Sequence, residues 1–182
     1  MTLNDKHIAI ALRGVVDERT KKLARALAGA GAQVVVHAFT FNREKHTGQI
    51  FRVVYHDSVE PQGSQLSLRV LRVAHNLTIK KLEERMHVAQ EGTFGYKSIS
   101  RVLVADKPDL IIAINADTLA ACALAAQKLS IKFVYDSYEF WPDHAKEEAC
   151  KLDKGQRDFV IQSERYYARN AELMVTVSDY LA

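Results

Sequence analysis

The sequence has few of the residues that build metal or disulfide sites. Its two cysteines, Cys122 and Cys150, lie far apart and form no Cys-x-x-Cys pair. Zinc sites and redox motifs usually contain such a pair, and disulfide frameworks need more cysteines, so none of these is indicated. This cysteine usage favours a reducing, cytoplasmic compartment. The seven histidines form no HxxxH or HExxH spacing, so we expect no metal held by the protein.

Long apolar runs and a strong net charge are also missing. No uninterrupted apolar stretch approaches the roughly 18–20 residues that span a membrane. The N-terminal residues before the first strand pattern contain no apolar signal core. A net charge of +3 is too small for a strongly basic nucleic-acid-binding protein. Hydrophobic residues make up 48% of the chain and charged residues 26%, which is typical of a globular domain. We therefore expect a cytoplasmic protein that binds no nucleic acid.

Glycine is scarce where a nucleotide-binding loop would need it. Residues 13–19, which follow the first strand pattern, contain one glycine, Gly14, whereas a dinucleotide fingerprint needs three. The same loop lacks the Gly-Lys-Ser/Thr sequence of a P-loop. NAD, FAD and ATP are therefore disfavoured, and we expect no cofactor.

Six short, continuous apolar runs separated by helical patterns dominate what the sequence does contain. Apolar runs that do not alternate with polar residues are typical of parallel strands covered on both faces. Strands that alternate with helices require right-handed crossovers. The pattern predicts an α/β fold, a doubly wound Rossmann-like parallel sheet with helices on both faces. We expect strand order 3-2-1-4-5-6 and a single domain over residues 1–182. The runs are residues 8–12, 33–37, 51–55, 110–114, 132–135 and 173–177.

Helical spacing and capping residues predict the segments between the strands. Asp17 is a good N-cap for a helix that ends near Gly29 and Gly31. Asp117 is expected to cap an alanine-rich helix in the same way. Further helices are predicted over residues 65–90, 96–105 and 156–170, and loops over residues 59–67 and 136–152.

The carboxyl ends of the strands carry the candidate binding residues. Ligands of doubly wound sheets bind beyond these ends, at the switch point between the first and fourth strands. An Arg beside a Gly at a helix N-terminus suits a phosphate, with a solvated loop charge as the alternative for Arg13. Asp117 and Ser178 have helix capping as their alternative. His37 and His56 also end strands at this edge, and we expect them to be hydrogen-bonded loop residues. The candidates are Arg13, Gly14, Asn115, Asp117, Asp136, Ser137, Tyr138 and Glu139.

Three segments in order resemble one enzyme family. Residues 108–119 resemble a strand that ends in a polar residue and is followed by Asp-Thr-Leu. Residues 133–139 are similar to a Tyr-Asp-Ser-His-Glu segment, and residues 171–178 are similar to a strand that closes the N-terminal domain. Together these segments resemble the N-terminal domain of glycosyltransferase family 4.

The resemblance implies a GT-B enzyme with two Rossmann-like domains. The implied enzyme is a hexosyltransferase, which moves a sugar from a nucleotide-sugar donor to a saccharide or lipid acceptor. Members of the family usually retain the anomeric configuration of the sugar and need no protein-bound metal. The donor is held mainly by a C-terminal domain, whose paired-glutamate motif is absent here, so residues 1–182 are expected to be inactive alone. The resemblance puts Arg13 and Gly14 near the donor diphosphate. It puts on the acceptor side of the cleft Asn115, Asp117, Asp136, Ser137, Tyr138 and Glu139.

The family motif has His at the position of Tyr138, so no histidine-dependent role follows and the catalytic residue stays unassigned. Two other functions remain open, a stand-alone Rossmann-like binding or regulatory module and half of a GT-B sugar epimerase. One predicted helix has a basic face, which we interpret as solvated, with peripheral contact to an anionic membrane as the alternative. Its residues are Arg69, Arg72, Lys80, Lys81 and Arg85.

Overall fold

The computed structural model describes residues 3–40, 42–44, 46, 48–57, 96–137, 161–162 and 164–176. Residues 161–162 and 164–168 are helical, which agrees with part of the helix predicted over 156–170. The helix predicted over 65–90 and the loop over 59–67 lie outside the described residues. The elements with defined bounds are β1 (His7–Arg13), α1 (Glu18–Gly29), β2 (Gln33–Phe39), β3 (Arg52–His56), α2 (Tyr96–Asp106), β4 (Leu110–Ile114), α3 (Ala116–Leu129), β5 (Lys132–Ser137) and β6 (Leu173–Thr176).

The strands form one six-stranded sheet in the order β3-β2-β1-β4-β5-β6, and each neighbouring pair is parallel. The predicted fold class and strand order are therefore confirmed. The order reverses between β1 and β4, where Ala9 pairs with Ile111. This switch point opens a crevice at the carboxyl edge of the sheet.

Apolar side chains cover both faces of the sheet, as continuous apolar runs require. On one face Ile10, Val36 and Ile112 pack with α1 residues such as Ala24. On the other face larger side chains pack against α2, α3 and the 164–168 helical segment. These include Phe39, Phe133, Tyr135, Leu103, Leu119 and Tyr167. Because alternate residues of each strand face opposite helical layers, successive polar residues at a strand end also point to different layers.

A buried threonine ties α3 to the central strands. Thr118 is fully buried, and its hydroxyl donates a 2.8 Å hydrogen bond to the carbonyl of Ile114 and lies 3.3 Å from the carbonyl of Ala11. The small residues Ala121 and Ala125 on the same helix are fully buried or nearly so. Their size lets α3 pack close to the sheet, so the helix start is held at the switch point.

The helix and strand bounds confirm one cap and correct two expectations. Asp17 is the N-cap of α1, and its carboxylate accepts a 2.7 Å hydrogen bond from the Thr20 amide. The expectation that Asp117 caps α3 is wrong, because the helix begins at Ala116 and Asn115 is its N-cap. The loop predicted from residue 136 also begins too early, since Asp136 and Ser137 are still paired with β6.

A polar cluster of imidazoles and one carboxylate fastens the end of α2 to the sheet. Asp106, the last residue of α2, has its Oδ2 atom 3.1 Å from His37 Nε2 and 3.0 Å from His7 Nε2. His37 Nδ1 in turn lies 3.0 Å from His56 Nε2. Burial is the main reason that the pKa of His37 and that of His56 are lowered, and each neutral imidazole is thereby favoured.

We expect His37→Gln to flatten the acid side of the stability curve. The pKa of His37 is lowered from 6.5 on folding, so the folded protein binds fewer protons than the unfolded chain. The unfolding free energy of the wild type therefore falls as the pH decreases below about 6.5. The variant lacks the His37 imidazole, so its unfolding free energy should fall less over the same pH range. Denaturant unfolding between about pH 5 and pH 7 measures both slopes. Parallel curves for the two proteins would contradict the assignment.

Candidate functional site

Residues in one row across the sheet define its carboxyl edge, which we call the rim. Arg13 pairs with Phe39, which pairs with His56, so β1, β2 and β3 end level with one another. On the other side of the switch point, Asn115 follows β4 and Ser137 pairs with Thr176 of β6. The sheet thus presents polar or charged side chains from five of its six strands at this edge.

The turn between β1 and α1 has a backbone conformation that favours glycine. Gly14 has φ +99°, a backbone conformation that side chains oppose, and its amide donates to the Phe39 carbonyl at 3.3 Å. A methyl group placed on Gly14 would meet no atom of the described residues within 4 Å. Val15 beside it is 43% exposed. A ligand can therefore approach this turn closely, with the start of α1 behind it.

Asn115 connects β4 to α3 in a strained conformation. Its φ of 62° and ψ of 170° lie in a region that is nearly restricted to glycine. The Asn115 amide N–H donates to the Asp136 carbonyl at 3.0 Å, while its side chain makes no capping hydrogen bond to α3. Its buried Oδ1 atom has no hydrogen-bond partner within the described part of the chain. Strain of this kind clusters at functional sites because the surrounding structure has to maintain it.

Asp136 forms a partly buried ion pair with Arg19 of α1. Its side chain is only 8% exposed, and that of Arg19 is 37% exposed. Burial is the main influence on the pKa of Asp136 and raises it, whereas Arg19 opposes that shift. The cation that pairs with Asp136 is thus Arg19 and not Arg13, the arginine at the end of β1. Arg19 is the second residue of α1, so the ion pair joins the start of this helix to the end of β5.

Ser137 points to the opposite face of β5 and takes part in a second polar group. The Tyr135 hydroxyl donates a hydrogen bond to Glu164 Oε1, and the Ser137 hydroxyl donates to the same oxygen at 3.4 Å. Burial is the main cause of a raised pKa at Glu164, and the pKa of Tyr135 is raised for the same reason. Glu164 was not among the residues singled out from the sequence, because nothing in a helical segment marks one glutamate as partly buried.

The structure brings the candidate residues to one edge but not into one cluster. Arg13, Gly14, Asn115 and Asp117 flank the switch point between β1 and β4. Asp136 contacts α1 on one face of the sheet, whereas Ser137 contacts the 164–168 helical segment on the other. Tyr138, Glu139 and Ser178 lie outside the described residues.

The polar side chains described at the rim are groups that form hydrogen bonds. Among the residues with described positions, no group of three or more His, Cys, Asp and Glu side chains is arranged to hold a metal ion. None of the helices in this part of the chain is long and apolar enough to cross a membrane. The rim offers an amide, hydroxyls and carboxylates on one side and an arginine beside a glycine turn on the other. Such an edge can bind a ligand that carries both hydroxyl and phosphate groups.

A family model described as "Glycosyl transferase 4-like domain" matches residues 15–182. The match begins just after Gly14 and includes α1 and strands β2 to β6, whereas β1 precedes it. No curated protein matches the chain in sequence.

Several solved structures share the fold at low sequence identity. Sucrose-phosphate synthase from Thermosynechococcus elongatus is 13% identical with a TM-score of 0.57, and the match covers 93% of this chain and 41% of that one. The glycosyltransferase SsfS6 from Streptomyces sp. SF2575 is 17% identical with a TM-score of 0.54, covering 94% and 50%. UGT89C1 from Arabidopsis thaliana, complexed with quercetin, is 13% identical with a TM-score of 0.54, covering 97% and 44%. The chain therefore spans half or less of the length of these proteins.

We expect Arg19→Met to destabilise the protein, because it leaves the Asp136 carboxylate buried without its cation. The cost should be about 1–3 kcal/mol at pH 7, less than for a fully buried pair since Arg19 is partly exposed to solvent. Denaturant unfolding of the variant and the wild type measures this difference.

Lys22→Met is the matched control, because Lys22 lies on the exposed side of the same helix. This substitution should change the unfolding free energy by less than about 0.5 kcal/mol. Equal losses in the two variants would show that the ion pair does not stabilise the rim.

Proposed function

The chain belongs to the glycosyl transferase 4-like domain family, and from that membership we propose that it is the acceptor-side half of a retaining hexosyltransferase. The complete enzyme would move a sugar from a nucleotide-sugar donor to a saccharide or lipid acceptor. The observation that carries the proposal is the rim, where the open Gly14 turn and the strained Asn115 flank the switch point of a GT-B type sheet. We place the enzyme in the cytoplasm, with peripheral membrane contact in the case of a lipid acceptor.

The donor diphosphate is proposed to bind at the β1–α1 turn. Gly14 leaves space for a close approach, and Arg13 precedes it at the end of β1. The N-terminus of α1 adds a partial positive charge, although Asp17 already accepts from the Thr20 amide. UGT89C1, which shares this fold, has been solved in complex with UDP-L-rhamnose. That a related fold accommodates a nucleotide sugar supports the assignment.

The acceptor is proposed to bind across the ends of β4 and β5. Asn115 and Ser137 supply an amide and a hydroxyl, which can both donate and accept hydrogen bonds. Asp117 and Asp136 add carboxylates that accept bonds from hydroxyl groups, and Asp136 keeps Arg19 as its counter-ion. From the family resemblance we include Tyr138 and Glu139. A hydroxyl-rich acceptor is the ligand class that these groups recognise best.

Residues 1–182 are proposed to be inactive without a donor-binding half. Transfer between two substrates needs both of them held in reacting geometry, which accounts for a large part of the catalytic barrier reduction. The solved relatives are at least twice as long as the matched region, which leaves room for a second domain in each.

Two substitutions in the two-domain enzyme should separate the donor and acceptor sides. Arg13→Ala should lower kcat/KM for the donor by roughly 10- to 150-fold, since it removes a charge-assisted contact of about 1.5–3 kcal/mol. Glu139→Ala should instead raise KM for the acceptor and leave nucleotide binding nearly unchanged. Steady-state kinetics with each substrate varied in turn measures both effects. Small and equal effects on both substrates would mean that these residues only brace the loops.

A further inference from the structure

Three elements of the sheet contribute to a chain of side-chain contacts that ends at the rim. Asp106 Oδ2 lies 3.1 Å from His37 Nε2, and His37 Nδ1 lies 3.0 Å from His56 Nε2. His7 Nε2 is 3.0 Å from the same Asp106 oxygen, and the Arg52 guanidinium is 3.9 Å from the other one. The carboxylate of Asp106 therefore has a hydrogen bond to His37 and lies close to His7 and Arg52.

The contacts fix which nitrogen of each imidazole carries a proton. A carboxylate only accepts hydrogen bonds, so His37 Nε2 donates to Asp106. A neutral imidazole has one N–H group, so His37 Nδ1 accepts, and His56 Nε2 must donate to it. His56 Nδ1 then carries a lone pair that points away from His37. Burial favours the neutral form of both rings, because it lowers the pKa of each.

His56 lies at the rim, and Phe39 holds its ring in place. It is paired with Phe39, which is paired with Arg13, so its Cα lies about 10 Å from that of Arg13 at the usual strand spacing. Its ring stacks on Phe39 with 4.8 Å between centroids and an angle of 22°, which holds the ring plane. His37 is buried, whereas His56 is partly exposed. Among the described residues, His37 is the hydrogen-bond partner of the His56 imidazole.

We propose that His56 Nδ1 accepts a hydrogen bond from a hydroxyl of the acceptor, and that His37 and Asp106 are positioning residues that hold the required tautomer. The proposal rests on the proposed function, which supplies a hydroxyl-bearing acceptor. His56 and Ser137 are four strands apart in the sheet order, which corresponds to about 19 Å. An acceptor that contacts both ends of the rim is therefore an oligosaccharide or an extended glycan rather than a monosaccharide.

Nitrogen NMR of imidazoles in the protein tests the tautomer without any ligand. At neutral pH we expect His56 to be protonated at Nε2 alone. His37→Phe keeps a ring in place but removes the acceptor, so both tautomers of His56 should appear. His37→Gln keeps an acceptor oxygen and should restore the single tautomer. His7→Phe is the matched control, because it contacts Asp106 but not His56, and it should leave the tautomer unchanged. If His56 of the wild type is protonated at Nδ1, or is a mixture of the two tautomers, the proposal is overturned.

Titration with maltotetraose, cellotetraose and glucose tests the contact itself. We expect a tetrasaccharide to shift the His56 Nδ1 resonance, and glucose to leave it unchanged. Shifts of the Arg13 and Asn115 amides without a shift at His56 overturn the subsite but not the proposed function. If no saccharide shifts any of these resonances, the saccharide acceptor of the proposed function is wrong, and the His56 subsite with it.

Discussion

Parallel pairing of β4 with β1 on one side and with β5 on the other is the constraint on which the rest of the site depends. Parallel strands all end at the same edge, so Arg13, Asn115 and Ser137 all lie along the rim although they are far apart in sequence. The reversal of strand order between β1 and β4 keeps helices from covering that edge. Any change that breaks the pairing of Ala9 with Ile111 would separate the two sides of the proposed site.

The cost of burying charge explains how the polar groups divide between the two faces of the sheet. Successive residues of β5 point to opposite layers, so Asp136 and Ser137 cannot share one partner. Asp136 is compensated by a guanidinium, whereas Glu164 is held by two hydroxyl donors. A carboxylate beside a cation retains its charge more readily than one held by neutral donors. One face of the sheet therefore has a carboxylate paired with a cation near this edge, and the other face has a carboxyl group held by two hydroxyls.

Sequence patterns predicted the sheet well because burial on both faces produces continuous apolar runs. Residues 110–114 were predicted as a strand with the bounds that β4 has. Asp136 and Ser137 extend β5 although neither residue is apolar. A hydrogen bond from the Asn115 amide to the Asp136 carbonyl and the ion pair of Asp136 with Arg19 stabilise this end of the strand. Asn115 and Asp117 are both capping residue types, so the sequence could not decide which one begins the helix. The contacts of Arg19 with Asp136 and of His56 with His37 join separate elements, and no local pattern encodes them.

Sugar transfer from labelled nucleotide sugars is the most direct test of the half-enzyme account. The assay compares residues 1–182 with the protein that carries a donor-binding half, using saccharide and lipid acceptors. The account predicts labelled product from the two-domain protein and none above background from residues 1–182, because donor and acceptor must be held in one cleft. Turnover by residues 1–182 alone would contradict it.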